Sequence, residues 1–562
     1  MKTTEADEKI ERCVEERKSF LLDAGAGSGK TASLIRTLNQ IRGSQRRRLV
    51  ANSQNVACIT FTNVAKNEII ERTEGDDLFK VSTIHDFLWN SIKPFQNELK
   101  VAVELVNERL PAKSKRRKDP AELKAALAEV QGISYSDRGG NFLEGRIFHD
   151  DLLEVAQVMF KTYPMLSRLV AAKYPYIFVD EYQDTNEKVI SSLLDCILVT
   201  KSPPVIGFFG DKMQSIYSDG VGELSEGYLA KLELIQKEEN FRCATTVIDV
   251  LNGIRSDIKQ KPAGQNPVGS AIYLNLHRAN ADEVVDVAKA LVREKFSWQF
   301  ADRDLRVLFL THRLIARKAG YENLFAAYNQ RGGFSQEQFQ TGEDANGKFL
   351  CNEIDGLVTA WKSDDAGTVI SLLHRNQRVV ASKKDKKRVK EALDKLAALV
   401  VANASIGDVL KYVRDVDLLP LIDQLNYWLN PEVCGNIAND PESERDRTFF
   451  KALFSVPFRE ISAYRAVLER NLPYSTKHGV KGDEFDTVMV VLDDVGANWS
   501  QYSFGNLLAG SDLSEARLQR TRNLFYVSCS RARRNLAVVD LAAPGASISK
   551  IQKLFGKDNC VF

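Results

Sequence analysis

The segment Ala24-Gly25-Ala26-Gly27-Ser28-Gly29-Lys30-Thr31 sets three glycines ahead of a lysine and a hydroxyl. Glycines let successive backbone N–H groups turn inward around a phosphate chain, and a helix starting there points its positive end at the same anion. In such a loop Lys30 would reach the terminal phosphates and Thr31 would hold Mg²⁺. The first position of the pattern is Ala24 rather than glycine. A second segment, Val179–Thr185 (VDEYQDT), ends an apolar run in paired acids. There Asp180 would sit beside the Mg²⁺, and Glu181 could orient and deprotonate an attacking water. The chemistry these residues suit is hydrolysis of a nucleoside triphosphate.

Those side chains need a strand before the glycine loop, a helix after it, and a second strand carrying the acids. The run from Phe20 onward, SFLLDAGAGSGKTASLIRTLNQI, switches from a short apolar stretch to helical periodicity after Gly29. Further apolar strands read at Val56–Phe61, Tyr176–Tyr182 and Pro204–Asp211, and a later set at Leu305–His312, Asp486–Asp494 and Asn535–Asp540. Short strands separated by helical stretches imply doubly wound parallel sheets. The chain reads as two α/β domains in tandem, each with an insertion. The first domain is expected over 1–94 and 149–255 with an insertion at 95–148, the second over 256–340 and 471–562 with a helical insertion at 341–470.

Composition agrees with a globular protein: 44% of residues are apolar and 27% charged, with 77 Lys plus Arg against 75 Asp plus Glu. A net charge of +2 excludes a polycation, so nucleic acid would have to bind a local positive stripe. The eight cysteines are scattered with no CxxC or Cys/His cluster, which argues against an iron–sulfur or zinc site. The charged N-terminus does not read as a signal peptide, and no apolar run approaches the ~18 residues of a membrane helix. The expected location is the cytoplasm, with no membrane partner. Basic runs occur at Arg46–Arg48, at Lys113, Lys115, Arg116, Arg117 and Lys118 in the first insertion, and at 383–388.

Further segments follow in a fixed order: TFTNVAKNEI (Thr60–Ile69), STIHDF (Ser82–Phe87), GDKMQSIY (Gly210–Tyr217), NFR (Asn240–Arg242), TKHGVKGDEFD (Thr476–Asp486) and NLFYVSCSRA (Asn523–Ala532). Together with the two phosphate-site segments, this order resembles the superfamily 1 helicases of the UvrD/Rep/PcrA group, from about residue 20 to 540. The resemblance implies two RecA-like domains that hold Mg²⁺ and ATP between them and move along single-stranded DNA, 3′ to 5′. It makes Gln214 the sensor of the γ-phosphate and Arg242 and Arg531 the pair that clamps it, one from each domain. Glu484 matches the glutamate used at the nucleotide sugar. Phe61, His85, Tyr217 and His478 match rings lining the single-strand groove, where stacking tolerates any base. Thr62, Asn63, Thr83 and Thr476 are the expected phosphate-backbone contacts.

The sequence also departs from that family. No glutamine stands near Lys9, where relatives read adenine, and Ala32 replaces an adenine-stacking arginine, leaving Phe241 as a stacking face. Ser218-Asp219-Gly220 replaces a tryptophan-bearing turn, and DDVGANWSQYSF (Asp493–Phe504) replaces another family turn. Weak or partner-dependent unwinding is expected. The short form resembles helicase-like subunits of bacterial anti-phage systems such as Gabija, which implies a separate nuclease or ATPase subunit as partner. A different reading with the same catalytic residues is a nucleotide-gated sensor of DNA ends inside a larger assembly; single-strand/duplex junctions stand beside single-stranded DNA as expected partners. A P-loop kinase or GTPase leaves the segments around His478 and Arg531 unexplained.

Overall fold

The strand ahead of the glycine loop, β1 (Phe20–Ala24), is buried at every position, as a strand covered on both faces must be. The computed structural model describes residues 3–112, 114, 116–136, 140–216, 220–279, 283–301, 304–309, 312–430, 441–469, 474–475, 483–494, 502–511, 514–542 and 548–562. Five more strands join β1 in one sheet: β2 (Val56–Thr60), β3 (Phe79–Thr83), β4 (Tyr176–Asp180), β5 (Val205–Gly210) and β6 (Glu233–Lys237). Their order is β3-β2-β4-β5-β1-β6 and every pairing is parallel.

Alternate residues of these strands feed two cores. Leu21, Ile59, Ile177, Val179 and Phe208 join one apolar cluster, while Phe20, Leu22, Cys58, Phe178 and Phe209 join another. The second cluster is covered by α1 (Glu5–Glu15) and α2 (Lys30–Ala51), which contribute Ile10, Leu34 and Leu38. The first is covered by α4 (Ile84–Ile92), α5 (Gln96–Arg109) and α7 (His149–Thr162); α3 (Asn63–Arg72) follows β2. Gly207 on β5 is glycine because a Cβ there would lie 2.6 Å from the Phe20 ring and 2.8 Å from the Phe178 ring. The sheet is therefore doubly wound, as the sequence pattern implies. Within the first insertion, α6 (Pro120–Glu129) follows α5, and Ser134–Tyr135 pairs with Arg146–Ile147.

A second sheet holds β7 (Ser270–Asn275), β8 (Leu305–Phe309), β9 (Tyr474–Ser475), β10 (Phe485–Leu492), β11 (Ala532–Asp540) and β12 (Cys560–Val561), in the order β9-β8-β10-β11-β7-β12. The β8–β9, β8–β10 and β7–β12 pairings are parallel. Helices fill the stretch between β8 and β9, among them Lys383–Val401, capped by Ser382 and Asp385, and Arg459–Leu468. Phe339 is sandwiched between Tyr328 and Tyr464, with ring centroids 4.1 and 4.3 Å away. This is the α/β architecture of tandem RecA-like domains.

Packing divides the chain into two compact units. The first holds Met1–Ala271, Ser500–Asn535 and Ser549–Asp558; the second holds Ile272–Trp499, Leu536–Ile548 and Asn559–Phe562. The helix α8 (Glu515–Cys529) and Arg531 thus pack in the first unit, while β11, which starts one residue later, ends in the second. Among the described residues, no helix is long and apolar enough to cross a membrane.

Candidate active site

Parallel strands place all their carboxyl ends along one edge, and open α/β sheets bind ligands there. The motif segments of the first unit follow directly from those ends. Ala24 closes β1, Thr60 closes β2, Thr83 closes β3 and Asp180 closes β4. Asp211–Gln214 follows β5, and Asn240–Arg242 lies just after β6.

The carbonyls of the glycine loop are fixed by one hydrogen bond within the loop and by three from neighbouring segments. Gly25 O accepts from Ser28 N–H (3.2 Å) and Gly27 O from Phe241 N–H (2.8 Å). Ala26 O accepts from Asn240 Nδ2 (3.0 Å) and Gln260 Nε2 (2.8 Å). Gly27 and Gly29 take left-handed backbone (φ +74° and +78°), and Gly29 ends the loop as the N-cap of α2. The first N–H groups of α2 have no intrahelical acceptor and open toward the loop. Lys30 Nζ and Ser28 Oγ are buried with no hydrogen-bond partner among the described residues, and Glu181 Oε2 lies 3.7 Å from Lys30 Nζ. This is a cradle built of N–H groups and one ammonium, fitted to an anion.

The paired acids stand beside it. Burial and the adjacent Glu181 push the Asp180 carboxyl up to about 7, against the pull of Lys30. Glu181 adopts left-handed backbone (φ +52°), a conformation that costs a non-glycine residue free energy and clusters at functional sites. Gln183 Nε2 donates to Glu181 Oε2 (2.5 Å), fixing the carboxylate's direction. Thr31 lies on the first turn of α2, so one hydroxyl, one carboxylate and phosphate oxygens make up an all-oxygen donor set suited to Mg²⁺.

Three more expected residues converge on the same edge. Gln214 is 5% exposed; its Nε2 donates to Asp211 Oδ2 (2.9 Å) and its Oε1 accepts from Arg531 Nη2 (3.4 Å). Arg531 is 1% exposed and also donates to Val527 O and Ser530 Oγ. Burial, reinforced by the Arg242 charge, lowers its guanidinium to about 10. Arg242 donates to Ser530 O (3.4 Å). The Arg242 charge beside the buried Arg531 makes this a seat that an anion would relieve. Phe241 is half-buried with its N–H spent on the loop. Glu484 is exposed in the second unit, just ahead of β10.

Of the expected DNA-facing residues, Phe61, Thr62 and Asn63 are exposed at the start of α3, Phe61 by 37%. Thr62 and Thr83 accept the capping N–H of Ala65 and Asp86, so each hydroxyl keeps its hydrogen to donate at a helix N-terminus. His85 differs from a free stacking face. Its ring stacks on His149 (centroids 3.7 Å apart), and burial together with His149 lowers it to about 4. Tyr217, Thr476 and His478 lie outside the described residues, as do Ser218, Asp219, Lys113 and Lys115. Of the first insertion's other basic residues, Arg116 pairs with Asp151 and Arg117 donates to Leu110 O (2.9 Å).

Sequence reasoning missed a buried ionic cluster near the expected adenine reader. Lys9 is exposed and pairs with Glu5, whereas Asp7 points inward at 2% exposure. Asp7 Oδ1 accepts from Ser33 Oγ (2.6 Å) and Lys237 Nζ (2.9 Å), and Oδ2 from Thr4 N (3.0 Å) and Arg36. Burial raises this carboxyl's cost, but the Ser33 and Lys237 hydrogen bonds outweigh it and hold Asp7 at about 2. A hollow of about 320 Å³, lined by Ala32, Ile35, Arg36, Asn39 and Arg72, lies alongside the first turns of α2.

A protein-family profile described as an AAA domain matches residues 7–219. The chain is 26% identical to the Gabija protein GajB of Bacillus cereus, over 97% of this chain and 96% of that protein. It is 24% identical to the ATP-dependent DNA helicase PcrA of Staphylococcus aureus, over 55% of this chain and 48% of that one. It is 23% identical to a probable DNA helicase II homolog of Rickettsia conorii, over 92% and 90%.

Two outcomes follow from the site's construction. A carboxyl whose folded value is depressed stabilises the fold above its unfolded value and loses that contribution as pH falls through the folded one. Asp7→Asn should therefore lower unfolding free energy by about 2 kcal/mol at neutral pH. The gap to the parent should close between about pH 4 and about pH 2 in urea titrations. Gly27→Ala would place a Cβ 2.7 Å from both Arg242 Cβ and Asn240 Oδ1 on left-handed backbone. It should cost roughly 1–3 kcal/mol in stability and abolish nucleotide binding measured by calorimetric titration.

Proposed function

We propose that this UvrD-like superfamily 1 chain is an ATP-hydrolysing motor that moves on single-stranded DNA. The observation that carries the reading is the gathering of Lys30, Glu181, Gln214, Arg242 and Arg531 along one sheet edge, with Arg531 buried against the glutamine. Lys30 and the N–H groups of the loop would hold the phosphate chain. Thr31 and Asp180 would hold Mg²⁺, which when bound neutralises charge on the phosphates. Glu181, aimed by Gln183, takes the proton of the attacking water. Arg242 and Arg531 stabilise the charge that develops on the transferred phosphoryl group.

Coupling to movement follows from the chain's connectivity. Arg531 is followed directly by β11 of the second sheet, so a shift of its guanidinium onto a phosphate pulls on a central strand. We take 1–94 with 149–255 and 256–340 with 471–562 as the two motor domains, and 95–148 and 341–470 as their inserts. Family resemblance supports 3′-to-5′ polarity, a cytoplasmic setting and single-strand/duplex junctions as substrates. Similarity to GajB along almost the whole chain supports a role in anti-phage defence beside a nuclease or ATPase subunit.

A second reading, a nucleotide-gated sensor of DNA ends with little unwinding, is favoured by one observation. The His85 ring is stacked on His149, which removes a stacking face from the DNA track.

Glu181→Gln should cut ATP turnover by about 10²–10⁴-fold while leaving nucleotide affinity intact; retained ATPase would refute the assignment of the base. Steady-state ATPase on single strands of increasing length separates the two readings. A translocase gives rates that rise with length, whereas a sensor saturates on short oligonucleotides.

A further inference from the structure

The glycine loop is gripped from outside by a residue that has no part in the chemistry above. Tyr526, on α8, is fully buried, and its hydroxyl accepts from Ala26 N–H (2.9 Å). It also accepts from Arg255 Nη1 (2.8 Å) and donates to Gln260 Oε1 (3.4 Å). A phenol has one donor and two acceptor sites, so this hydroxyl is fully used and none of it remains for a nucleotide. Gln260 closes the ring by donating to Ala26 O (2.8 Å). Both polar ends of one loop residue are thus fixed by a tyrosine and a glutamine that are themselves bonded together. Gly25 allows the approach, since a Cβ there would lie 2.2 Å from Gln260 Nε2.

The grip continues toward the phosphate sensors. The Arg255 side chain is fully buried and lies 3.4 Å from Asp211 Oδ1, with its other donors on Asp257 (2.9 and 3.0 Å). Asp211 Oδ2 accepts from Gln214, whose Oε1 accepts from Arg531. An unbroken chain of buried polar contacts therefore joins Ala26, Tyr526, Arg255, Asp211, Gln214 and Arg531. Low local polarity makes each link sensitive to the loss of its neighbour.

We infer that Tyr526 is a positioning residue for the phosphate loop: with Gln260 it fixes the N–H and the carbonyl of Ala26 in place, and it ties the loop to the γ-phosphate sensors through Arg255 and Asp211. The inference rests on reading Ala24–Thr31 as the phosphate site. Tyr526 touches the loop and not the nucleotide, so its removal should act on affinity before it acts on turnover.

The test is fluorescence titration of the full chain with Mg²⁺ and a labelled ADP, run on the parent, Lys30→Ala, Tyr526→Phe, Gln260→Met and the Tyr526/Gln260 double variant. Melting curves confirm that each is folded at the assay temperature. Tyr526→Phe keeps the ring and should weaken ADP binding about tenfold, because Ala26 N–H loses its buried acceptor. With ATP, KM should rise while kcat falls much less. Gln260→Met should weaken binding similarly, and the double variant should lose less than the product of the two singles, since both hold one peptide. Should Tyr526→Phe fail to fold, Gln260→Met alone decides. Parent-like affinity in the folded single variants, or losses that multiply, would overturn the inference. Equal binding by parent and Lys30→Ala would instead bring down the phosphate-site reading itself.

Discussion

Positive charge held out of water at the end of a sheet governs this molecule. Lys30 is nearly buried with Glu181 as its close counter-charge, and Arg531 is sealed in a pocket beside a second guanidinium that lowers its own proton affinity. Buried positive charge is costly to hold out of water, and a bound anion would offset that cost. The rest of the first unit serves that arrangement. Parallel strands deliver the motif segments that follow them to one edge, the Ala26 and Gly27 carbonyls are bonded to residues outside the loop, and Asp180 and Glu181 stand close enough to balance the Lys30 charge. The one residue in strained backbone on that strand's end, Glu181, is the one whose carboxylate direction matters.

Much of this was legible in the sequence because strands that are buried on both faces write themselves as unbroken apolar runs. The strands at Val56, Tyr176 and Val205 lie within the runs that announce them, and the glycine loop sits between its strand and helix. Strands β3 and β6 were not legible. In β6, Glu233–Lys237, Ile235 and Lys237 are the buried residues, and Lys237 is buried because Asp7 receives it. A lysine in an edge strand carries no local sign of such a partner. The residues around Ala26 were equally hidden, since Tyr526 and Gln260 meet the loop, and Arg255 meets Tyr526, from distant parts of the chain and follow no period. Position in the chain also gave no hint that α8 packs in the first unit. That grouping comes from contacts such as Asn523 Nδ2 with Lys212 O and Ser215 O.

The larger departures from the family pattern fall where relatives read the base and along the expected DNA track. At the base end, α1 is capped by Thr4, which puts Asp7 on the inner face and Lys9 outside. The carboxylate there is committed to Ser33, Lys237 and Arg36, so it acts as a brace between α1, α2 and β6. At the helix starts after β2 and β3 the Thr62 and Thr83 hydroxyls accept capping N–H groups, while the His85 ring is stacked on His149.

The central claim is that both guanidiniums and the loop lysine meet one triphosphate. A crystal structure with Mg²⁺, ADP and a metal fluoride in place of the transferred phosphoryl group tests it most directly. The account expects Lys30, Arg242 and Arg531 all to donate to the fluoride group at about 2.7–3.1 Å, with Arg531 released from Gln214. A bound nucleotide with Arg531 still on Gln214 and out of reach of the fluoride would contradict it.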